Sequence, residues 1–193
     1  MLPLMQRVLG DAWALLPSVL QKHYQITDTQ SSCLAGHLTI AYPKFMMPIV
    51  WIIHLFGGLI LWPGELINIT VQKHSDANGI IYWRRKLNYP DGKADYFYST
   101  MTYIAEHELA ETIGFGFGLY LTVNVVNGDL CYQSNGHFWH AGKLKVKIPD
   151  CFVLGRALIT EHALSEQEFL LDFTISHPLW GTTYSYQGVF SYA

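Results

Sequence analysis

The amino-acid sequence predicts a mainly β protein of the α+β class. It reads as an antiparallel β-meander curled into a barrel or half-barrel of about 8–10 strands, with an N-terminal helix and an apolar helix at about 44–60 covering one opening. Three observations carry that expectation. From Glu65 to the end, apolar and polar residues alternate with period two almost without interruption. The alternating runs are separated by turn chemistry, at Pro90-Asp91-Gly92, Asn127-Gly128-Asp129, Asn135-Gly136, Pro149-Asp150 and Pro178. The connections are short, so consecutive strands run antiparallel, and about ten strands within about 130 residues curl or close because flat open sheets of that size are unusual.

In order, a helical part at 1–62 with one short strand is followed by a β part at 63–193, within one domain. Asp11 is placed to cap a first turn, Pro17 interrupts it, and a helix follows over residues 17–24 with the proline near its N-terminus. Residues 25–32 are polar and loop-like, and 37–42 (HLTIAY) form a short strand ended by Pro43. In the β part, ELINITVQKH and GIIYWRRKLN flank a Ser-Asp-Ala-Asn-Gly hairpin signal. DYFYSTMTY, HELAETI, FGLYLTVNVV, DLCYQSN, KLKVKI, RALITEHA, EFLLDFTISH and TTYSYQGVF supply the further strands.

The composition narrows the function. Apolar residues make up 50% of the chain and aromatics 15%, but charged residues only 14%, against roughly 25% in an average soluble domain; disorder is excluded. Lys and Arg number 12 and Asp and Glu 15, a net charge of −3, so no basic excess exists to neutralise phosphates and no nucleic-acid partner is expected. Cys33, Cys131 and Cys151 are odd in number and fit neither a CxxC site nor a disulfide framework, which points to thiols in a reducing compartment. The opening residues carry no charged region followed by an apolar run and cleavage site, so cytoplasmic residence is the default expectation.

Residues 45–62 (FMMPIVWIIHLFGGLILW) hold no formal charge, a length at the lower limit for a membrane span. Pro48, His54 and Gly57-Gly58 shorten the continuous helix, and Lys44 is the sole basic flank where an orienting cluster would be needed. A buried or lid helix therefore ranks first, a transient membrane-surface contact second and a true span third. The apolar residues do not segregate to one face, which is poor for an interfacial helix.

In a barrel, alternate residues of every strand line the interior. One such face holds Ile81, Trp83, Arg85 and Leu87; others hold Leu109, Glu111 and Ile113, and Ala157, Ile159, Glu161 and Ala163. Two more hold Phe169, Leu171, Phe173, Ile175 and His177, and Thr182, Tyr184, Tyr186, Gly188 and Phe190. Arg85, Glu111, Glu161, His177 and Tyr184 thus travel with apolar side chains. Isolated buried charges are costly, so Arg85 is expected to pair with Glu111, Glu161 or both. Such charges either knit the strands together or touch a ligand.

Two functions follow. The first is binding of a hydrophobic small molecule (lipid, terpenoid or polyketide-like) in an aromatic-lined cavity, contacted by Trp83, Trp51, His54, Tyr186 and Phe173. The alternative is a cofactor-free enzyme of isomerase, cyclase or dehydratase type, in which Glu161 or Glu111 moves a proton, Arg85 sets its pKa, and Tyr184 or His177 orients the substrate. No cofactor is expected: there is no glycine-rich strand–helix turn, GxSxG or HExxH. No metal is expected either, because His137 and His140 sit three apart without a carboxylate or thiol at ligand spacing.

Several stretches together resemble a bacterial family catalogued as domain of unknown function 4166. They are VLGDAWALLP with its LxxxH to His23, the apolar helix ending at Trp62-Pro63, and WxRxL at Trp83, Arg85 and Leu87. AETIGFGFGLYLTVNVVNGDL around Glu111 and Gly114, the Pro149 turn, ITEHA around Glu161 and HPLWGTTYSYQG complete the match. The family is also found attached to dehydrogenase-like domains, so the resemblance implies small-molecule metabolism. Family members tend to carry arginines where this chain has its charge-poor helix at 45–62.

Overall fold

A computed structural model of the chain describes residues 2–26, 31–142, 144–149 and 154–192. Its strands are β1 (Ser31–Ala41), β2 (Gly64–Ser75), β3 (Ile81–Asn88), β4 (Ala94–Ala105), β5 (Glu108–Thr112) and β6 (Phe117–Val126). They continue as β7 (Asp129–Ala141), β8 (Leu144–Ile148), β9 (Arg156–Ala163), β10 (Glu168–His177) and β11 (Gly181–Tyr192). Neighbours in sequence pair antiparallel from β1 to β8 and from β9 to β11. β7 pairs with β9 and β11 with β1, so ten strands close into a barrel, and β8 extends the rest of the β7 edge.

The period-two pattern explains the closure. On β2 the inward set is Ile67, Ile69, Val71, Lys73 and Ser75, and on β3 it is Ile81, Trp83 and Leu87, with Arg84 and Lys86 exposed. Burying these apolar faces against one another drives the sheet to curl, and among the described residues closure leaves an open edge at β8 alone. The β2–β3 turn is set by Asp76, whose Oδ1 accepts from the amides of Asn78 (3.0 Å) and Ile80 (2.9 Å).

One end is covered by α1 (Leu4–Leu9), a 3₁₀ turn over Gly10–Leu15 and α2 (Ser18–Tyr24). Leu4, Met5, Val8, Leu9, Val19 and Leu20 point into the barrel. The His107 amide in the β4–β5 turn donates to the Val8 carbonyl (2.7 Å), which ties α1 down. Asp11 makes no capping bond; it lies inside the 3₁₀ turn, and Pro17 precedes α2 as expected.

The other end is crossed by α3 (Met47–Leu55), entered through a 3₁₀ turn at Lys44–Met46. The helix stops well short of residue 60. Gly57 turns the chain at φ 74°, and a Cβ on Gly58 would meet Ile53 Cγ2 at 2.5 Å, so the chain leaves as an extended strap over 59–62. Four side chains hold that strap: Tyr184 donates to the Ile60 carbonyl (2.9 Å), Tyr42 to Leu61, Tyr89 to Trp62 (3.1 Å), and Asp95 accepts the Leu61 amide (3.3 Å). Among the described residues, no helix is long and apolar enough to cross a membrane.

Two further local expectations change. β1 begins at Ser31 rather than at 37, because pairing with β2 on one edge and β11 on the other draws in residues of weak strand propensity. In β11 an extra residue bulges opposite Ile175–Ser176. Thr182 therefore faces solvent and Thr183 is buried, its hydroxyl between the carbonyls of Leu154 (2.7 Å) and Ile175 (3.1 Å). Cys33 is exposed and Cys131 half-buried; Cys151, Asp150 of the 149–150 turn, Lys143 and residues 27–30 lie outside the described residues.

Candidate functional site

Inside the barrel lies a cavity of about 370 Å³ with predominantly apolar walls, which reaches from α2 at one end to α3 at the other. Its aromatic walls include Trp83, Phe97, Phe173 and Tyr186, with Phe173 and Tyr186 stacked 4.6 Å apart. Arg85, Glu111 and Glu161 all reach this cavity, each set there by strand alternation.

The charges divide into two groups. Arg85 Nη1 donates to Ser99 Oγ (2.8 Å), Nη2 lies 3.6 Å from Glu111 Oε1, and the guanidinium sits 4.8 Å from the rings of both Trp83 and Phe97. The register places these partners on successive inward positions of β3, β4 and β5, so the pair runs diagonally across neighbouring strands. Glu161 is the other centre, 2% exposed. Its hydrogen bond comes from α2 and not from Arg85: Tyr24 donates to Oε1 (2.6 Å), and Tyr132 donates to Tyr24 (2.5 Å). Glu161 Oε2 is buried with no hydrogen-bond partner.

Burial raises the Glu161 carboxyl to about 7, against the opposing pull of the Tyr24 hydroxyl and of the Lys73 and Arg85 charges. Burial also pushes Tyr24 and Tyr132 well above the usual phenol range, so both remain neutral donors. The site therefore holds a carboxyl that gains or loses its proton near neutrality, backed by two hydroxyls in series. An oxygen free of protein partners at such a group can donate to, or take a proton from, a molecule in the cavity.

Lys73 was not among the sequence candidates. It is 1% exposed, with Nζ 2.9 Å from His23 Nδ1, a bond to the His23 carbonyl, and the Trp83 ring 4.8 Å away. Burial drives its pKa well down, and burial, then Lys73 and Arg85, drive His23 well below the usual imidazole range. The signal was present: Lys73 follows Ile67, Ile69 and Val71 at period two, and His23 and Tyr24 follow Val19 and Leu20 at helical spacing. Tyr132 likewise alternates with Leu130 and Ser134.

Of the sequence candidates, Arg85, Glu111, Glu161, Tyr184, Trp83, Phe173 and Tyr186 line the cavity; the Tyr184 hydroxyl is committed to the strap. Three do not line it. Trp51 is on the outer face of α3, half exposed. His54 turns its Nδ1 to the Leu59 carbonyl (2.8 Å), with Asp95 at 3.9 Å, and helps to shape the strap. His177 is buried on the expected face, but beyond the cavity: it stacks on Trp180 (4.2 Å) and its Nδ1 accepts the Leu179 amide (3.2 Å) in the β10–β11 turn. Trp51 is outside because α3 turns Val50 inward, His54 because its ring is bonded to the strap, and His177 because β10 outruns the cavity. Among the described residues, no cluster of three His, Cys, Asp or Glu side chains could hold a metal ion.

No curated protein and no solved structure matches the chain. The model of a family described as a domain of unknown function (DUF4166) matches residues 16–190, which span α2, the strap, every barrel strand and both glutamates of the cavity, and the chain belongs to that family.

Proposed function

We propose that the protein binds a hydrophobic small molecule, of lipid, terpenoid or polyketide-like chemistry, inside the barrel. The supporting observation is the cavity itself: about 370 Å³ of mostly apolar space enclosed by ten strands. Ligand pockets run from about 300 to 1,000 Å³, so the volume suits a compact ligand, and apolar walls supply affinity through desolvation. The few polar groups fix its orientation. A carbonyl or hydroxyl of the ligand is placed to meet Glu161 Oε2 or the Arg85 guanidinium, with the apolar remainder running toward α3. The working location in this reading is the cytoplasm, where the thiols stay reduced.

Native mass spectrometry of the purified protein tests this. A co-purifying apolar mass, or saturable uptake of an apolar fluorophore that changes Trp83 emission, is the expected result. Apo protein that takes up no such probe refutes it.

A second reading has its own support. A buried carboxyl near pKa 7 with one free oxygen is suited to general acid–base work. In that reading the cavity converts its ligand by cofactor-free isomerisation, cyclisation or dehydration. Glu161→Gln abolishes turnover there while leaving affinity nearly unchanged; equal loss of both returns the site to binding alone.

A further inference from the structure

The cavity opens at the α3 end. Ile52 and Phe56 line it and are also 49% and 42% exposed, which places the mouth at α3. Around that mouth the surface is unusually apolar: Phe45, Trp51 and Leu55 project from the helix segment, Phe115 from the β5–β6 turn and Leu179 from the β10–β11 turn. The Phe56 ring meets Phe115 and Phe117 at 5.9 and 5.1 Å, so the apolar surface continues from helix to turn. Concentrated exposed apolar side chains mark a contact surface.

Charge says what that surface meets. The α1–α2 end carries Asp76, Glu106, Glu108, Asp129, Glu166 and Glu168, with Arg7 and Lys22 as bases. Among the described residues, the α3 end carries Lys44, Lys86, Lys145 and Arg156, with Glu65 as an exposed acid, Asp95 buried against the strap and Lys93 paired to Asp91 at 2.6 Å. A protein of net charge −3 is thus polarised along its barrel axis, with its basic end coinciding with its apolar end. Apolar and aromatic side chains that share one end of the barrel with lysines match a negatively charged lipid surface. A second copy of the chain would set like charges against each other.

We propose that the α3 end docks on an anionic lipid bilayer, and that the ligand passes between bilayer and barrel past Ile52 of α3. The docking surface stands on exposure and charge; the passage of ligand rests on the cavity reading above.

Flotation of the full chain tests it, with vesicles of phosphatidylcholine alone and of phosphatidylcholine with phosphatidylserine. The protein is expected to float with the phosphatidylserine vesicles, to bind the neutral ones weakly, and to be released by salt. The double variant Trp51→Glu/Leu55→Glu, at side chains that do not line the cavity, is expected to lose partition about tenfold or more. Leu15→Glu, an exposed leucine at the acidic end, should leave it unchanged. Protein that stays at the bottom with both vesicles overturns the proposal, as does equal loss in Leu15→Glu. A dimer dissolved by the double variant also overturns it, assigning the face to a second copy. Probe uptake separates the two readings: a double variant that still takes up an apolar fluorophore but no longer floats supports both. A protein that floats but binds no probe keeps the docking surface and removes the ligand passage.

Discussion

Replacing Glu161 by Gln removes the carboxyl proton that burial moves into the neutral range, at an unchanged side-chain shape. Gln keeps the shape, accepts from Tyr24 and offers a donor where Oε2 now points. Below pH 4.5 the carboxyl is protonated in both the folded and the open chain and contributes no pH dependence. Between 4.5 and about 7 the open chain has lost the proton and the fold still holds it, so stability falls as pH rises; above about 7 the whole penalty persists. At ~1.4 kcal/mol per pH unit, this separation costs wild type roughly 3 kcal/mol at pH 8 relative to pH 4. Gln cannot ionise, so the variant gains roughly that amount on wild type across the same interval. With a urea dependence of ~2 kcal/mol per molar, the difference between the two midpoints should widen by more than about 1 M between pH 4 and pH 8. Groups that do not feel the Glu161 charge cancel in the difference; Lys73, which the Glu161 charge holds up, moves further down in the variant. If the two midpoint curves run parallel from pH 4 to 8, the carboxyl is not held protonated by burial, and the acid–base reading loses its basis.

The remaining predictions concern its neighbours. Tyr24→Phe removes the hydroxyl that favours the ionised carboxylate, so the fall in stability should move to higher pH; a fall at the wild-type pH contradicts the hydrogen bond. Arg85→Met leaves Glu111 buried without its cation and should cost about 3 kcal/mol in urea unfolding, whereas Arg84→Met, on the exposed face of the same strand, should stay within about 0.5 kcal/mol. Equal midpoints for the two would reverse the assigned faces of β3. Tyr184→Phe frees the Ile60 carbonyl and should cost about 1 kcal/mol in urea unfolding; an unchanged midpoint would show that this hydroxyl does not hold the strap.

How much of this was readable in the chain divides along one physical line. Local pattern and short-range chemistry determined the strands, their turns and which side chains face inward, because a strand's faces alternate regardless of its neighbours. Arg85, Glu111 and Glu161 were legible on that basis, and so was Lys73 on β2, had the same alternation been applied there. Pairing belongs to the tertiary structure. The register set Arg85 against Glu111 and Ser99, and the seating of α2 brought Tyr24 onto Glu161, a contact between residues 137 positions apart that no spacing rule encodes. Departures from regular pattern were equally invisible: the β11 bulge that exchanged Thr182 for Thr183, and the Gly57 turn that ended α3, whose inward side chain is Val50 and not Trp51. Sequence alone determined which groups would be buried, through hydrophobic periodicity; closure of the barrel decided which of them meet, because only three-dimensional distance sets a hydrogen bond or a shifted pKa.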